Sequence, residues 1–110
     1  MTVKELATTC NLEVVNLGLP EAEISGVYCC DLLSIVMGKA TAGSAWVTIM
    51  GNMNAVAVAS LAEIGMIVLA DGVSPDATAM QKAKENEINL LRSSKPIFET
   101  ALELYEALKA

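Results

Sequence analysis

Cys30-Asp31, Gly51-Asn52-Met53-Asn54 and Asp71-Gly72 are three short steps, each set directly after a run of apolar residues. If those runs are parallel strands, the steps share the carboxyl edge of one sheet, where open α/β folds bind ligands. Two of them feed helix starts, whose free amides and partial positive charge suit an anion. Asp31 and Asp71 oppose a phosphate at that edge. The charge pattern therefore favours a neutral or cationic ligand, or one read by the backbone. The candidate ligand-binding residues are Asp31, Gly51, Asn52, Met53, Asn54, Asp71 and Gly72. Each competes with a plainer role. Asp31 and Asn54 fit helix N-caps, Asp71-Gly72 fits a turn, and Gly51 permits a bend. Asn52 stands out, because it is neither apolar nor needed as the cap.

The rest of the chain offers little chemistry. It has no histidine, hence no imidazole to act as a general base, complete a triad or activate a thiol. The phosphate loop G-x-x-x-x-G-K-[ST], the dinucleotide turn G-x-G-x-x-G and the nucleophile elbow G-x-S-x-G do not occur. No catalytic residue is assigned, and the chain does not read as an enzyme. Its three cysteines, an odd number, argue against a disulfide framework. Cys29 and Cys30 are adjacent and would point to opposite faces of a strand. A zinc site would need Cys10, one of this pair and carboxylates. The thiols therefore read as buried and unligated, with no metal and no cofactor expected.

Composition bounds the class. A chain of 110 residues suits one domain. With 54% hydrophobic residues but only 4% aromatic, the core must be built from Val, Ile, Leu, Ala and Met. The apolar surplus implies a two-sided core or a surface buried against a partner, and a homodimer is expected. A net charge of −6 disfavours nucleic acid as a partner. "MTVKELATTC" lacks the basic and apolar regions of a signal peptide. The apolar run Ala55–Ala70, interrupted by Ser60 and Glu63, is too short and polar to span a membrane. A cytoplasmic location without membrane contact follows as the expectation.

The elements that must position the candidate residues can be read in order. Thr2 and Glu5 make a capping box for a short first helix whose inner face is Val3, Leu6 and Ala7. Leu12–Gly18 and Ile24–Cys30 read as strands. Asp31 then caps a helix ending near Gly38, apolar on most sides and so expected to be covered all round. Ser44–Met50 is the next strand. Asn54 caps a helix closed by Gly65. A strand is the competing reading there, but Ala55, Ala59 and Ala62 recur at helical spacing. Met66–Ala70 is a continuous apolar strand of the kind buried on both faces. The turn Ser74-Pro75-Asp76 leads into a helix on which Lys82 and Lys84 face solvent. "INLLRS" forms a fifth strand. Ser94 and Pro96 open the last helix, with Ile97, Ala101, Leu104, Tyr105 and Leu108 as its core face. Tyr28 reads as a sheet residue, and Trp46 as a core or interface anchor. Strand then helix, four times after residue 24, predicts an α/β fold: a single domain with a mostly parallel sheet of about five strands flanked by helices.

From Ile49 to about Leu104 the chain resembles the DRTGG domain family. The residues that carry the resemblance are "IMGNMNAVAVASL", "MIVLADGVSPD" and "KAKENEINLLRSS". "ISGVYCCDLLSIVMG" is also like the first half of short stand-alone members, so nearly the whole of residues 1–110 is covered as one DRTGG-like domain. The family pattern is a strand, Gly-Asp-Arg, an Ala-rich helix, a strand ending in Thr-Gly-Gly, a Pro turn, a helix and a strand. The chain is similar, too, to the amino-terminal domain of HPr kinase/phosphorylase, and to the module found in phosphotransacetylases and CBS-containing pyrophosphatases. Gly51 and Gly72 keep two family glycines. Asn52-Met53 stands in place of Asp-Arg, and Ala70-Asp71 in place of Thr-Gly. The resemblance implies a non-catalytic regulatory or assembly module of the kind attached to enzymes. With the apolar surplus, the expectation is a regulatory or scaffold domain working through homodimerisation or through a partner enzyme or regulatory protein. The alternative is a small-ligand sensor, for a nucleotide or metabolite, at the carboxyl edge of the sheet.

Overall fold

The computed structural model describes residues 1–110. Five helices and five strands follow the chain as α1 (Val3–Thr9), β1 (Glu13–Asn16), β2 (Gly26–Cys29), α2 (Leu33–Lys39), β3 (Ser44–Thr48), α3 (Met53–Leu61), β4 (Met66–Leu69), α4 (Ala77–Glu85), β5 (Leu90–Arg92) and α5 (Ile97–Lys109). The strands form one sheet in the order β1-β5-β4-β3-β2. β2 to β5 run parallel, and β1 joins β5 antiparallel with an irregular register between Val14 and Asn16. The expected α/β class and mostly parallel five-stranded sheet are the observed ones.

Alternate strand residues serve two cores. Trp46, Ile67, Leu69 and Leu90 meet Val36 of α2, Ala55, Val56 and Ala59 of α3, and Ala79 and Ala83 of α4. Ala45, Val47, Met66, Val68 and Leu91 meet Val3, Leu6 and Ala7 of α1 and Leu104 of α5. β3 and β4 are buried along their whole length, as the central strands of a parallel sheet must be. Strands β2 to β5 advance across the sheet in one direction, so right-handed crossovers put α2, α3 and α4 on one face. After β5 the chain crosses to the other face, and α5 returns to lie on β2 and β3. Alanines at 55, 59, 79 and 83 let α3 and α4 approach each other and the sheet closely.

Several expectations are corrected. α2 is not covered all round: Val36 alone is buried, while Leu32, Ile35 and Met37 are exposed. It lies over the margin of the sheet and has α3 beside it on one side only. Tyr105 is half exposed rather than core, because α5 leans on the edge strand β2 and its outer flank has no layer above it. Gly65 does not close α3. The helix ends at Leu61, and Glu63 makes the left-handed exit with φ 56°. Gly65 is instead required by close approach, since a Cβ there would lie 2.6 Å from Ile24 Cδ1 and 2.9 Å from the Gly43 carbonyl oxygen.

The capping box of α1 is present, with Thr2 N–H donating to Glu5 Oε1 at 2.8 Å and Glu5 N–H donating to Thr2 Oγ1 at 3.1 Å. The Thr2 amide holds the Glu5 carboxyl below its ordinary value of 4.5, with the Thr2 hydroxyl and the chain's terminal ammonium acting in the same direction. A carboxyl lowered by folding contributes stability that is fully present above its unfolded value and lost as pH falls through the folded one. Glu5→Ala should therefore be less stable than the parent at pH 7. The gap, read by urea melts at several pH values, should close as pH drops below 4.5. A gap unchanged at pH 2.5 would exclude the charged bond as its source.

Candidate functional site

The three predicted polar steps do come to one edge of the sheet, at the carboxyl ends of β2, β3 and β4. What they do there differs from the expectation for most of them. Asp31 does not cap α2. The N-cap is Leu32, with no side-chain bond. Asp31 Oδ1 instead accepts from Thr48 Oγ1 at 2.6 Å and from Ile49 N–H at 3.1 Å. Thr48 is fully buried, and its hydroxyl also accepts from Met50 N–H at 3.2 Å. A carboxylate that satisfies a buried hydroxyl and a loop amide has more to stabilise here than at the start of a seven-residue helix.

Asn52, not Asn54, is the N-cap of α3, and Ala55 N–H donates to its Oδ1 at 3.0 Å. The helix begins two residues earlier than expected, which leaves Met53 and Asn54 exposed on its first turn. Asn52→Ala should cost about 1 kcal/mol of stability, as cap deletions do. Asn54→Ala should cost almost nothing, and chemical denaturation of the two variants checks the assignment. Equal losses would count against Asn52 as the cap.

Gly51 does not use the left-handed region; what marks it is the close approach of its neighbours. A Cβ there would sit 3.0 Å from the Ser74 carbonyl oxygen and 3.2 Å from Pro75 Cα. Its own carbonyl accepts from Asp76 N–H at 3.0 Å. Asp71 and Gly72 are both left-handed, at φ 57° and 68°, and Val73 N–H closes the turn onto the Ala70 carbonyl at 3.1 Å. That is the geometry for which Asp-Gly is suited. The turn is tied down by Asp71 N–H to the Lys95 carbonyl and by Gly72 N–H to the Ser93 carbonyl.

Arg92, the only arginine, was absent from the candidate residues. It stands at the end of β5, the fourth parallel strand end, and that position was the signal that could have found it. Its Nε donates to the Val73 carbonyl at 2.9 Å, Nη2 to the Gly72 carbonyl at 2.7 Å and Nη1 to Glu13 Oε2 at 2.6 Å. The edge is thus fastened strand by strand in sheet order. Asp31 joins the ends of β2 and β3, Gly51 joins β3 to the loop after β4, and Arg92 joins that loop to β5 and β1. Beside Arg92 lies a small polar hollow of about 170 Å³, also lined by Glu13, Gly72 and Ser93.

The cysteines correct another expectation, since none is fully buried. Cys10 and Cys30 are half-buried and Cys29 is exposed. Cys29 and Cys30 face opposite sides, as expected. Cys29 lines an apolar cleft against α5, and Cys30 packs with the α2–α4 core. Partial desolvation of the sulfur in that cleft pushes the Cys29 thiol up, although the residue as a whole is exposed, and Asp31 adds to it. Burial, then Glu103, does the same to Cys10. A raised thiol is a poor nucleophile at neutral pH. No three Cys, Asp or Glu side chains gather as a metal-holding group, and no helix is long and apolar enough to cross a membrane.

The fold is that of a single α/β domain with a mostly parallel five-stranded sheet, and its likeness to solved structures is DRTGG-like. No protein-family model and no curated protein matches the chain. Among solved structures it is similar to the CBS and DRTGG domains of the regulatory region of Clostridium perfringens pyrophosphatase, complexed with the activator diadenosine tetraphosphate. The TM-score is 0.73 at 13% identity, over 94% of this chain and 45% of that one. The chain therefore spans less than half the length of that structure, and the likeness is one of fold.

Proposed function

We propose that residues 1–110 form one DRTGG-like regulatory domain that acts by association, first with a second copy of itself, and does no chemistry of its own. The observation that carries this is the division of its surface. At the carboxyl edge the polar groups of Asp31, Asn52 and Arg92 are engaged with other parts of the chain. Away from that edge large apolar side chains stand in solvent along α5, with Phe98 at 70%, Tyr105 at 52% and Leu102 at 40% exposure. Apolar residues exposed at this level, several of them on neighbouring positions, mark association surfaces. The similar pyrophosphatase structure is itself a regulatory region, which supports the same class of role. A cytoplasmic setting and a partner enzyme or regulatory protein belong to the same reading. Sedimentation velocity across the micromolar range tests it, with a dimer expected. A monomer at every concentration would overturn it.

A second reading places a small ligand at the edge, around Asp31, Gly51, Asn52, Met53, Asn54, Asp71 and Gly72. The polar hollow beside Arg92 favours it, as does the activator held by the similar regulatory region. At about 170 Å³ the hollow is smaller than the ~300–1,000 Å³ of ordinary ligand pockets. A nucleotide would therefore have to open the fastened turn at Gly72. A thermal-shift series with diadenosine tetraphosphate, adenine mononucleotides and central metabolites tests this reading, and no shift with any of them at millimolar concentration would exclude it.

A further inference from the structure

Resting on the association reading above, we infer that the dimer forms through the free edge of β2 and the outer flank of α5, joining two sheets into one of ten strands. The two edges of the sheet are not alike. β1 carries Glu13 in an ion pair and a register irregularity between Val14 and Asn16, devices that discourage further strand pairing. β2 is Gly26-Val27-Tyr28-Cys29, regular against β3, with no charge, proline or bulge. Beside it runs a cleft of about 310 Å³ whose whole lining is apolar: Val27, Cys29, Phe98, Ala101, Leu102 and Tyr105. Phe98, Leu102 and Tyr105 follow i, i+4, i+7 spacing, so they form one stripe on α5. They are 70%, 40% and 52% exposed.

The occupant is a second copy for three reasons. An edge strand pairing antiparallel with itself about a two-fold axis is self-complementary, as a closed dimer requires. The axis runs perpendicular to the sheet, so both α5 helices lie on one face and flank the seam, each presenting its stripe to the other. Charge agrees: a chain of net charge −6 repels its copy over most of its surface, and this cleft, with no carboxylate in its lining, is a place where like copies can meet. The exposed Glu99 and Glu106 lie beside the α5 stripe, outside the lining of the cleft. Area agrees as well. With ~200 Å² for a whole aromatic side chain, the exposed parts of Phe98 and Tyr105 come to about 240 Å². Leu102, Val27, Cys29 and the strand edge add to this toward the ~800 Å² per copy of a stable interface.

The test is sedimentation velocity of the whole chain and of three variants, Phe98→Glu, Tyr105→Glu and Leu61→Ser, with circular dichroism confirming their fold. All three positions are exposed, so the fold should survive each change. Phe98→Glu and Tyr105→Glu should weaken the dimer by about 30-fold or more, the level of a hot-spot residue. Leu61→Ser, on α3 and the opposite face of the sheet, should leave it intact. A parent dimer that both glutamate variants preserve would overturn this face and leave the association reading standing. A parent that is monomeric throughout would overturn both.

Discussion

Gly18→Ala is expected to cost about 3 kcal/mol or more, at or beyond the upper end of ordinary overpacking. A Cβ at Gly18 would fall 2.1 Å from the Glu87 carbonyl carbon, 2.2 Å from its oxygen and 2.5 Å from its Cα. All three are backbone atoms, so no side chain can swing aside. Neither segment can yield easily. Leu19 N–H donates to Asn89 Oδ1, and Asn89 Nδ2 donates to the carbonyls of Leu19 and Gly65, all at 2.9 Å. Asn89 is almost wholly buried, so relief of the clash would strand polar groups away from water. Glu87 is already held left-handed at φ 54° as the chain leaves α4. For a domain of this size the loss should lower Tm by roughly 12 °C or more. Gly38→Ala is the control. A Cβ there meets nothing within 4 Å, and the residue lies inside α2, so helix propensity predicts a gain of up to ~1 kcal/mol. A Gly18→Ala protein as stable as the parent would mean that the 17–19 and 87–89 segments are not packed as described.

Trp46→Ala should be as damaging, at about 3–5 kcal/mol, the usual range for removing a buried aromatic side chain. Against a typical total of ~5–15 kcal/mol, that leaves a marginal domain. Trp46 is wholly inaccessible and sits on β3 against Val36, Ala55 and Ala59. Its Nε1 donates to the Cys30 carbonyl at 2.8 Å, which pins the loop after β2 to the core. Trp46→Phe separates the two contributions. It keeps most of the packing but leaves that carbonyl without its donor, so a loss of about 1–2 kcal/mol is expected. Urea melts followed by circular dichroism measure both, since either change removes the only tryptophan. If Trp46→Phe lost as much as Trp46→Ala, the hydrogen bond rather than the volume would dominate. If neither lost stability, Trp46 would not be a core residue. The sequence left core and interface both open for this side chain, and its depth between two strands and two helices decides for the core.

The edge of the sheet shows how far residue types lead and where they stop. Reading glycines and short polar residues after apolar runs located the strand ends correctly, because strand ends and helix starts obey local rules of turn and cap chemistry. The same rules misassigned what the polar groups bind. Asp31 and Asn54 look like caps only if the nearest helix start is their sole partner. Thr48, which claims Asp31, lies 17 positions along the chain. Arg92 was missed because its value lies in carbonyls at Gly72 and Val73 and a carboxylate at Glu13, which only the sheet brings near.

The sequence by itself determined the α/β class, the parallel sheet, the number of strands, the capping box at Thr2 and the apolar strands β3 and β4. Each of these depends on periodicity or on contacts within a few residues, which composition and spacing record directly. The tertiary structure alone decided which strands are edges, and from that most of what the surface can do. Placing β2 at the margin leaves α2 covered on one side only and turns Phe98, Leu102 and Tyr105 outward from α5, though the same helix read in isolation has Tyr105 on its core face. Burial is a property of what lies above a side chain, and in a layered sheet that is set by strand order, which no local pattern encodes.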